Sequence, residues 1–283
     1  MFPPPTPLVK NLMILNAIIF LVVVLPGFLG YPINIEDKLA LYYPASPHFR
    51  PYQFVSHFFM HADPGHIFFN MLGLYFFGPS LEERLGPGRF LLLYIISAIG
   101  AMGMHIGEIW WQLRQSYEYL AAFTADPSLA NFNGFFSGID LGGLMMDNGK
   151  SVLPIYGNIQ NDLAMGTNPE YINTRALDLM QDYVDFQENS RMVGASGAVF
   201  GVLAAFAVFF PDREIRPLFI PFGIPAKYMI GVILASEVFL GFMNYNFDSV
   251  AHYAHIGGAI AGGIVAYIFA KTVLPPWLKR MDK

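Results

Sequence analysis

A single hydroxyl and a handful of imidazoles stand out in this chain as chemistry set among apolar residues. Ser196 lies in "GASGAVFG", residues 194–201, and no charged residue occurs between Arg191 and Asp212. His255 lies in "AHYAHIGG", and "HFFMHADPGHIFFN" carries His57, His61, His66 and Asn70. A serine hydroxyl becomes a nucleophile when a base accepts its proton, and a neutral imidazole within hydrogen-bond reach is the usual base. Ser196 and His255 would then form a hydrolase dyad. The anionic oxygen of a tetrahedral intermediate needs donors, which His66 and Asn70, one helical turn apart, can supply together with the Ser196 backbone N–H. Other readings stand beside this one. A lone serine in a membrane helix commonly bonds a carbonyl one turn back. His57, His61, Asp63 and His66 are metal-competent types that would suit a histidine-lined metal site or a transporter, although no H-E-x-x-H marks a zinc protease. His57 and His61 fit the organisation of an outer loop, and His252 the approach to the last span. Glu237 is an ionisable residue inside a span, able to pair locally, be protonated or face water.

Composition sets the solvent in which these groups must work. The 283 residues are 54% hydrophobic and 13% charged, with a mean hydropathy of +0.43, against about 25% charged residues in an ordinary soluble domain. This is the composition of an integral membrane protein. A net charge of -5 without a basic tract excludes nucleic-acid binding, which needs clustered Lys and Arg against phosphates. The absence of cysteine removes disulfides, thiol nucleophiles and Cys-ligated metals.

With about 20 apolar residues as the measure of a span, six segments qualify: Leu12 to Leu29, Phe54 to Leu81, Phe90 to Gly107, Met192 to Phe210, Tyr228 to Phe242 and Val250 to Ala270. The first is read as a retained helix, since its apolar run is long and no A-x-A-like cleavage site follows. The fold expected is an all-α polytopic bundle with both termini on one side. Lys10, Arg84, Arg89, Arg213, Arg216, Lys227, Lys271, Lys279, Arg280 and Lys283 make that side cytoplasmic. A bacterial inner membrane is the expected location. Trp110, Trp111 and Trp277 fall at span ends, where indoles favour the interface.

Three parts follow: residues 1–107 with helices 1–3, an outer insert over 108–191, and residues 192–283 with helices 4–6 and a short tail. The insert carries ten acidic residues beyond Glu108, against Arg114, Lys150, Arg175 and Arg191. Long loops translocate largely regardless of charge. Both ends of the insert read as helices, "EIWWQLRQSYEYLAAF" and "NPEYINTRALDLMQDYVDFQENS". In the second, Asn168 is an N-cap, Pro169 opens the first turn, and Ile172, Ala176, Leu179 and Tyr183 share a face. That face can lie on the bilayer or on the protein.

Depth aligns the polar residues. Ser196 is 14 residues before Phe210 and His255 is 15 before Ala270, so both stand roughly 21 to 23 Å above the inner boundary. His66 reaches the same level and Asn70 one turn deeper. Gly197, Gly201 and Ala205 on the fourth span, and Ala254, Gly258, Gly262 and Ala266 on the sixth, recur every four residues and let backbones approach closely in lipid. The two helices are expected to pack with Ser196 and His255 beside the seam.

"HADPGHIFFN", "LEERLG", "GASGAVFG" and "AHIGG", in this order over spans two to six, resemble the rhomboid intramembrane serine proteases. The resemblance implies a six-helix rhomboid-like bundle that cleaves transmembrane or membrane-proximal segments of other proteins within the lipid bilayer. It implies Ser196 as nucleophile, His255 as base and His66 and Asn70 as oxyanion donors, with no cofactor. The family's Trp-Arg of the first outer loop falls at Tyr52 and Gln53, its histidine-stacking aromatic is Phe200, and the 108–191 insert is longer than usual. Ala195, rather than the proline of inactive relatives, precedes an intact Ser196. A catalytically idle relative that holds client helices without cutting is the alternative within the same fold. "LEERLG" reads as a cytoplasmic turn in which Arg84 or Glu83 caps helix ends.

Overall fold

The computed structural model describes residues 4–31, 33–145, 149–216, 221–243 and 251–272. Val250, Trp277, Lys279, Arg280 and Lys283 therefore lie outside the described residues. The described chain is mostly helical: α1 Pro7–Phe28, α2 Ile35–Leu39, α3 Gln53–Ser56, α4 Pro64–Leu85, α5 Pro87–Ala125, α6 Leu129–Phe135, α7 Leu153–Met165, α8 Pro169–Glu188, α9 Ser196–Phe209, α10 Ala226–Met243 and α11 His252–Thr272. Two short antiparallel pairs accompany them, β1 Leu41–Tyr42 with β2 Arg191–Met192, and β3 Glu214–Ile215 with β4 Ile224–Pro225. By length and composition α1, α5, α10 and α11 can each cross a membrane. They expose Leu21, Val22, Val232, Phe239, Ile260 and Ile264, apolar surface that soluble proteins seldom leave in continuous bands.

α9 is shorter, at 14 residues, and nearly all of it is buried. It forms the centre of the bundle, against α4, α5, α10 and α11. Small residues make this possible. A Cβ on Gly258 would stand 2.7 Å from the Gly197 carbonyl carbon, and one on Gly262 equally close to that of Gly201. α5 joins the same seam, since a Cβ on Gly100 would meet the Gly257 carbonyl oxygen at 2.8 Å. The expected four-residue stripes thus pack α9 directly on α11, with α5 as a third member.

Two boundaries differ from the hydropathy reading. The segment expected to run from Phe54 is interrupted: after α3 come a 3₁₀ turn over His57–Phe59 and an extended Asp63. Proline at 64 disfavours helical backbone at 63, and the Asp63 carboxylate then caps α4 by accepting from the His66 backbone N–H at 2.9 Å. α5, in turn, does not stop near Gly107. Its 39 residues run on as one helix to Ala125, about 58 Å at 1.5 Å per residue, and so absorb the "EIWWQLRQ" segment. Trp110 and Trp111 sit exposed in its middle.

Beyond the bundle, the outer part of α5 packs with α6, α7 and α8 around a core of its own, including Ile109, Leu113, Phe123, Phe132, Ile159, Met180 and Val184. Phe132 stacks on Tyr156 at 5.3 Å. α8 buries Ile172, Ala176, Leu179 and Met180 here, so its apolar face lies on protein. Asn168 occupies the cap position of α8 in left-handed backbone, φ 40°, without a side-chain cap bond. Ser116 donates to Gln187 at 3.0 Å and Tyr117 to Glu188 at 2.7 Å, tying α5 to α8.

In "LEERLG" it is Glu82 that caps the start of α1. Its carboxylate accepts from the backbone N–H of Leu8 at 3.1 Å and of Val9 at 2.9 Å, and from the Thr6 hydroxyl. The two N–H groups are donors that the first turn of α1 leaves unpaired, and a negative charge is favoured there. Gly86, at φ 77°, turns the chain from α4 into α5.

Candidate active site

The chain enters the site through a stapled outer layer. β1 pairs Leu41 with Met192 and Tyr42 with Arg191; Arg191 also pairs with Asp37 and, at 3.5 Å, with Glu36. Gln53, buried, donates to the carbonyls of Lys38 and His48 and accepts from the Arg50 N–H, which knots the loop ahead of α4. Tyr52 beside it is exposed. A cavity of about 1340 Å³ opens between this loop and the outer helices, with Ser190 and Arg191 on its wall.

Two residues past β2 comes Gly194, whose N–H donates to the His57 carbonyl at 3.0 Å. His57 is fully buried, its Nδ1 2.5 Å from the Gln53 carbonyl, and burial pushes its imidazole down to about 4. It is a neutral strut for the loop that delivers the serine. Gly194 adopts φ +131°, backbone that side chains rarely tolerate, and a Cβ there would meet His66 Nε2 at 3.0 Å and Ser196 Oγ at 3.4 Å. The His66 ring and the serine hydroxyl thus flank one glycine.

Ser196 is the first residue of α9 and 8% exposed. Its backbone N–H belongs to the first turn, where the helix provides no acceptor. Phe200, four residues on and so on the same face, stacks on the His255 ring at 4.1 Å and 11° between planes. His255 therefore lies along the face of α9 that Ser196 heads. α4 approaches the same helix at two levels: His66 beside Gly194, and Gly73, whose Cβ would stand 2.8 Å from Val199 Cγ1. Asn70 falls between them on α4, 6% exposed, its Nδ2 without a partner among the described residues. A buried amide donor rarely stays unpaired; a developing anion would satisfy it. His61 packs edge-on to His66 at 5.2 Å.

The set His57, His61, Asp63 and His66 is not gathered into a ligand cluster among the described residues. The metal-competent side chains that do converge are Glu237, His252 and His255. Glu237 Oε2 lies 2.9 Å from His255 Nδ1 and 2.7 Å from His252 Nδ1, which gives the lone acid of α10 its partners. No spacing rule links positions 237 and 255; the one signal in the sequence is a charge inside an apolar span.

The Rhomboid domain model matches residues 48–108 and 177–272, more than half of the chain. The intervening residues fall in the outer helical layer. The RHOMBOID-like protein 12, mitochondrial, of Arabidopsis thaliana is 37% identical over 79 residues, 28% of this chain and 24% of that protein. The Rhomboid protease GlpG of Yersinia pestis (strain Pestoides F) is 31% identical over 93 residues, 33% of this chain and 32% of that protein. The chain thus spans about a quarter to a third of the length of these relatives. With apolar helices around a short buried one and a matching domain across both halves, this chain is an integral membrane protein that belongs to the rhomboid family.

Proposed function

We propose that this chain is an intramembrane serine endopeptidase that cuts transmembrane or membrane-proximal segments of other membrane proteins. Its spans are α1, α4, α5, α9, α10 and α11, with both termini cytoplasmic in a bacterial inner membrane, and residues 108–191 form an outer domain between the third and fourth spans. The basic residues Lys10, Arg89, Arg213 and Lys227 support that orientation. At 14 residues, α9 rises about 21 Å through a core of about 30 Å, so its first residue stands below the outer surface.

In this reading Ser196 Oγ attacks the scissile carbonyl carbon while His255 Nε2 takes its proton. The tetrahedral oxyanion accepts hydrogen bonds from the Ser196 N–H, His66 and Asn70. As the C–N bond breaks, His255 returns the proton to the leaving amine. Water, deprotonated by the same imidazole, then hydrolyses the acyl-serine. The observation that carries this reading is the convergence of a helix-heading serine, the imidazole stacked on its own helix one turn on, and an unpartnered buried amide on the neighbouring one.

The test is co-expression with a panel of single-span proteins, read by gel. Wild type should yield products, and Ser196→Ala and His255→Ala none, at unchanged expression; because the pair acts as a unit, the double variant should be no worse. A fluorophosphonate should label Ser196. Activity that survives in Ser196→Ala would overturn the proposal, and trapping of a client without product would mark an idle relative.

A further inference from the structure

We propose that Glu237 is the positioning residue of the catalytic imidazole, a carboxylate that holds His255 with Nδ1–H towards α10 so that Nε2 is left bare for the proton of Ser196. The inference rests on the dyad reading above and adds a third member to it from a helix that carries no other acid.

Stacking alone does not orient this base. Phe200 lies nearly parallel to the His255 ring, which fixes the plane of the imidazole, yet a half-turn of the ring within that plane's neighbourhood exchanges its nitrogen and carbon edges. A directional bond removes the ambiguity. Glu237 Oε2 supplies it at 2.9 Å from Nδ1. An ionised carboxylate only accepts, so the proton must sit on Nδ1 and the lone pair on Nε2, the tautomer a general base requires. The same oxygen lies 2.7 Å from His252 Nδ1. His252 and His255 are three apart on α11, so two donors on one helix grip one oxygen and keep the carboxylate from turning. The side chains of Glu237 and His255 are 13% and 11% exposed, and when Ser196 gives up its proton the imidazolium forms beside a nearby anion. A carboxylate in a span is expensive without partners, and these two histidines are its partners.

The three side chains are also the metal-competent group found among the described residues. Their spacing suits protons better. A tetrahedral ion bound at about 2.0 to 2.1 Å keeps neighbouring ligand atoms roughly 3.3 Å apart, whereas the observed separations are 2.7 and 2.9 Å, hydrogen-bond distances.

The experiment compares Glu237→Ala, Glu237→Gln and Ser196→Ala in proteoliposomes with a single-span substrate. It measures kcat, KM, the rate of fluorophosphonate labelling and the folded fraction, and reads the His255 tautomer of wild-type protein by nitrogen NMR on histidine-labelled samples. Glu237→Ala should lower kcat by about a hundredfold to ten-thousandfold, the range for losing the group behind a catalytic histidine, with KM within about twofold and labelling slowed in proportion. Glu237→Gln should recover most of that loss, because its amide oxygen can accept both Nδ1–H bonds. Wild-type turnover in Glu237→Ala, with Ser196→Ala dead, would remove Glu237 and leave the dyad standing; a cutting Ser196→Ala would remove the dyad itself. A proton on Nε2 in the wild-type spectrum would overturn the proposal whatever the variants do. So would a matched loss of folded protein in both Glu237 variants with turnover per folded molecule unchanged. Wild-type inhibition by micromolar zinc that disappears in Glu237→Ala, with no other defect in that variant, would assign the cluster to a metal instead.

Discussion

Gly258 is the sharpest handle on the geometry that brings α9 and α11 together. A Cβ there would stand 2.7 Å from the carbonyl carbon of Gly197 and 3.0 Å from its Cα, with the carbonyl oxygen nearer still. Carbon atoms in contact settle at about 3.5 to 4.0 Å, so one methyl demands that the two backbones separate by about 1 Å. Neither obstacle is a side chain that could swing aside. Gly197 follows Ser196 and Gly258 is three residues past His255, so the separation falls on the pair proposed to react, where 1 Å is worth about a hundredfold. Gly258→Ala should therefore cut turnover about a hundredfold or more. Gly263→Ala, in the same helix, is the control: its nearest neighbour, Ala204 Cβ, lies at 3.8 Å, ordinary contact, and replacing a helical glycine by alanine should stabilise by about 0.5 to 1 kcal/mol. Both proteins would be titrated with a fluorophosphonate and assayed on a reconstituted single-span substrate, with melting temperatures on the same preparations. Full turnover and an unshifted melting temperature in Gly258→Ala would mean that the helices do not meet there and do not hold Ser196 and His255 together.

Further outcomes are expected. Asn70→Ala should lower turnover by about a hundredfold to a thousandfold, the loss typical of one oxyanion donor, while KM moves little; a lower melting temperature at unchanged turnover per active site would instead make Asn70 a packing residue. A cysteine at Met165, three-quarters exposed on the outer helices, should react with an impermeant maleimide in intact cells, and one at Gly88 should not; the chain has no native cysteine to confuse the signal, and the reverse pattern would invert the topology. Glu82→Ala should destabilise by about 2 kcal/mol or more, since it strips the acceptor from three donors at the start of α1. Exposed Glu83→Ala should stay within about 0.5 kcal/mol, and equal effects in the two would refute the capping role.

Much of the bundle was legible because lipid imposes a coarse code: long apolar runs, small residues every fourth position, and costly polar groups that stand out. The stripes of Gly197, Gly201, Gly258 and Gly262 announced a contact that the structure contains. Hydropathy could not find the start of α4, because Phe54, Phe58 and Phe59 are as apolar as the span; the cap at Asp63 and the proline after it are the local signals that end the ambiguity. Phe200 beside His255 was expected from the family resemblance alone, and Glu237 was not expected at all, since partners 18 positions apart on different helices obey no periodicity. The outer layer was visible only at its helical ends. α6 and α7 lie in its Asn- and Gly-rich middle, and Phe132, Phe135, Phe136 and Ile159 are buried only because four helices close over them together.

The continuity of α5 also makes the outer layer a mechanical part. A helix of 39 residues without a break is a beam, and Gly100, pressed on Gly257, is its fulcrum. Ala125 stands 25 residues further along, a lever arm of about 38 Å. A sideways push of about 4 Å at that end tilts the beam by about 6° and delivers the torque two residues from His255. Whatever grips these helices, an antibody fragment for instance, therefore loads the joint beside His255.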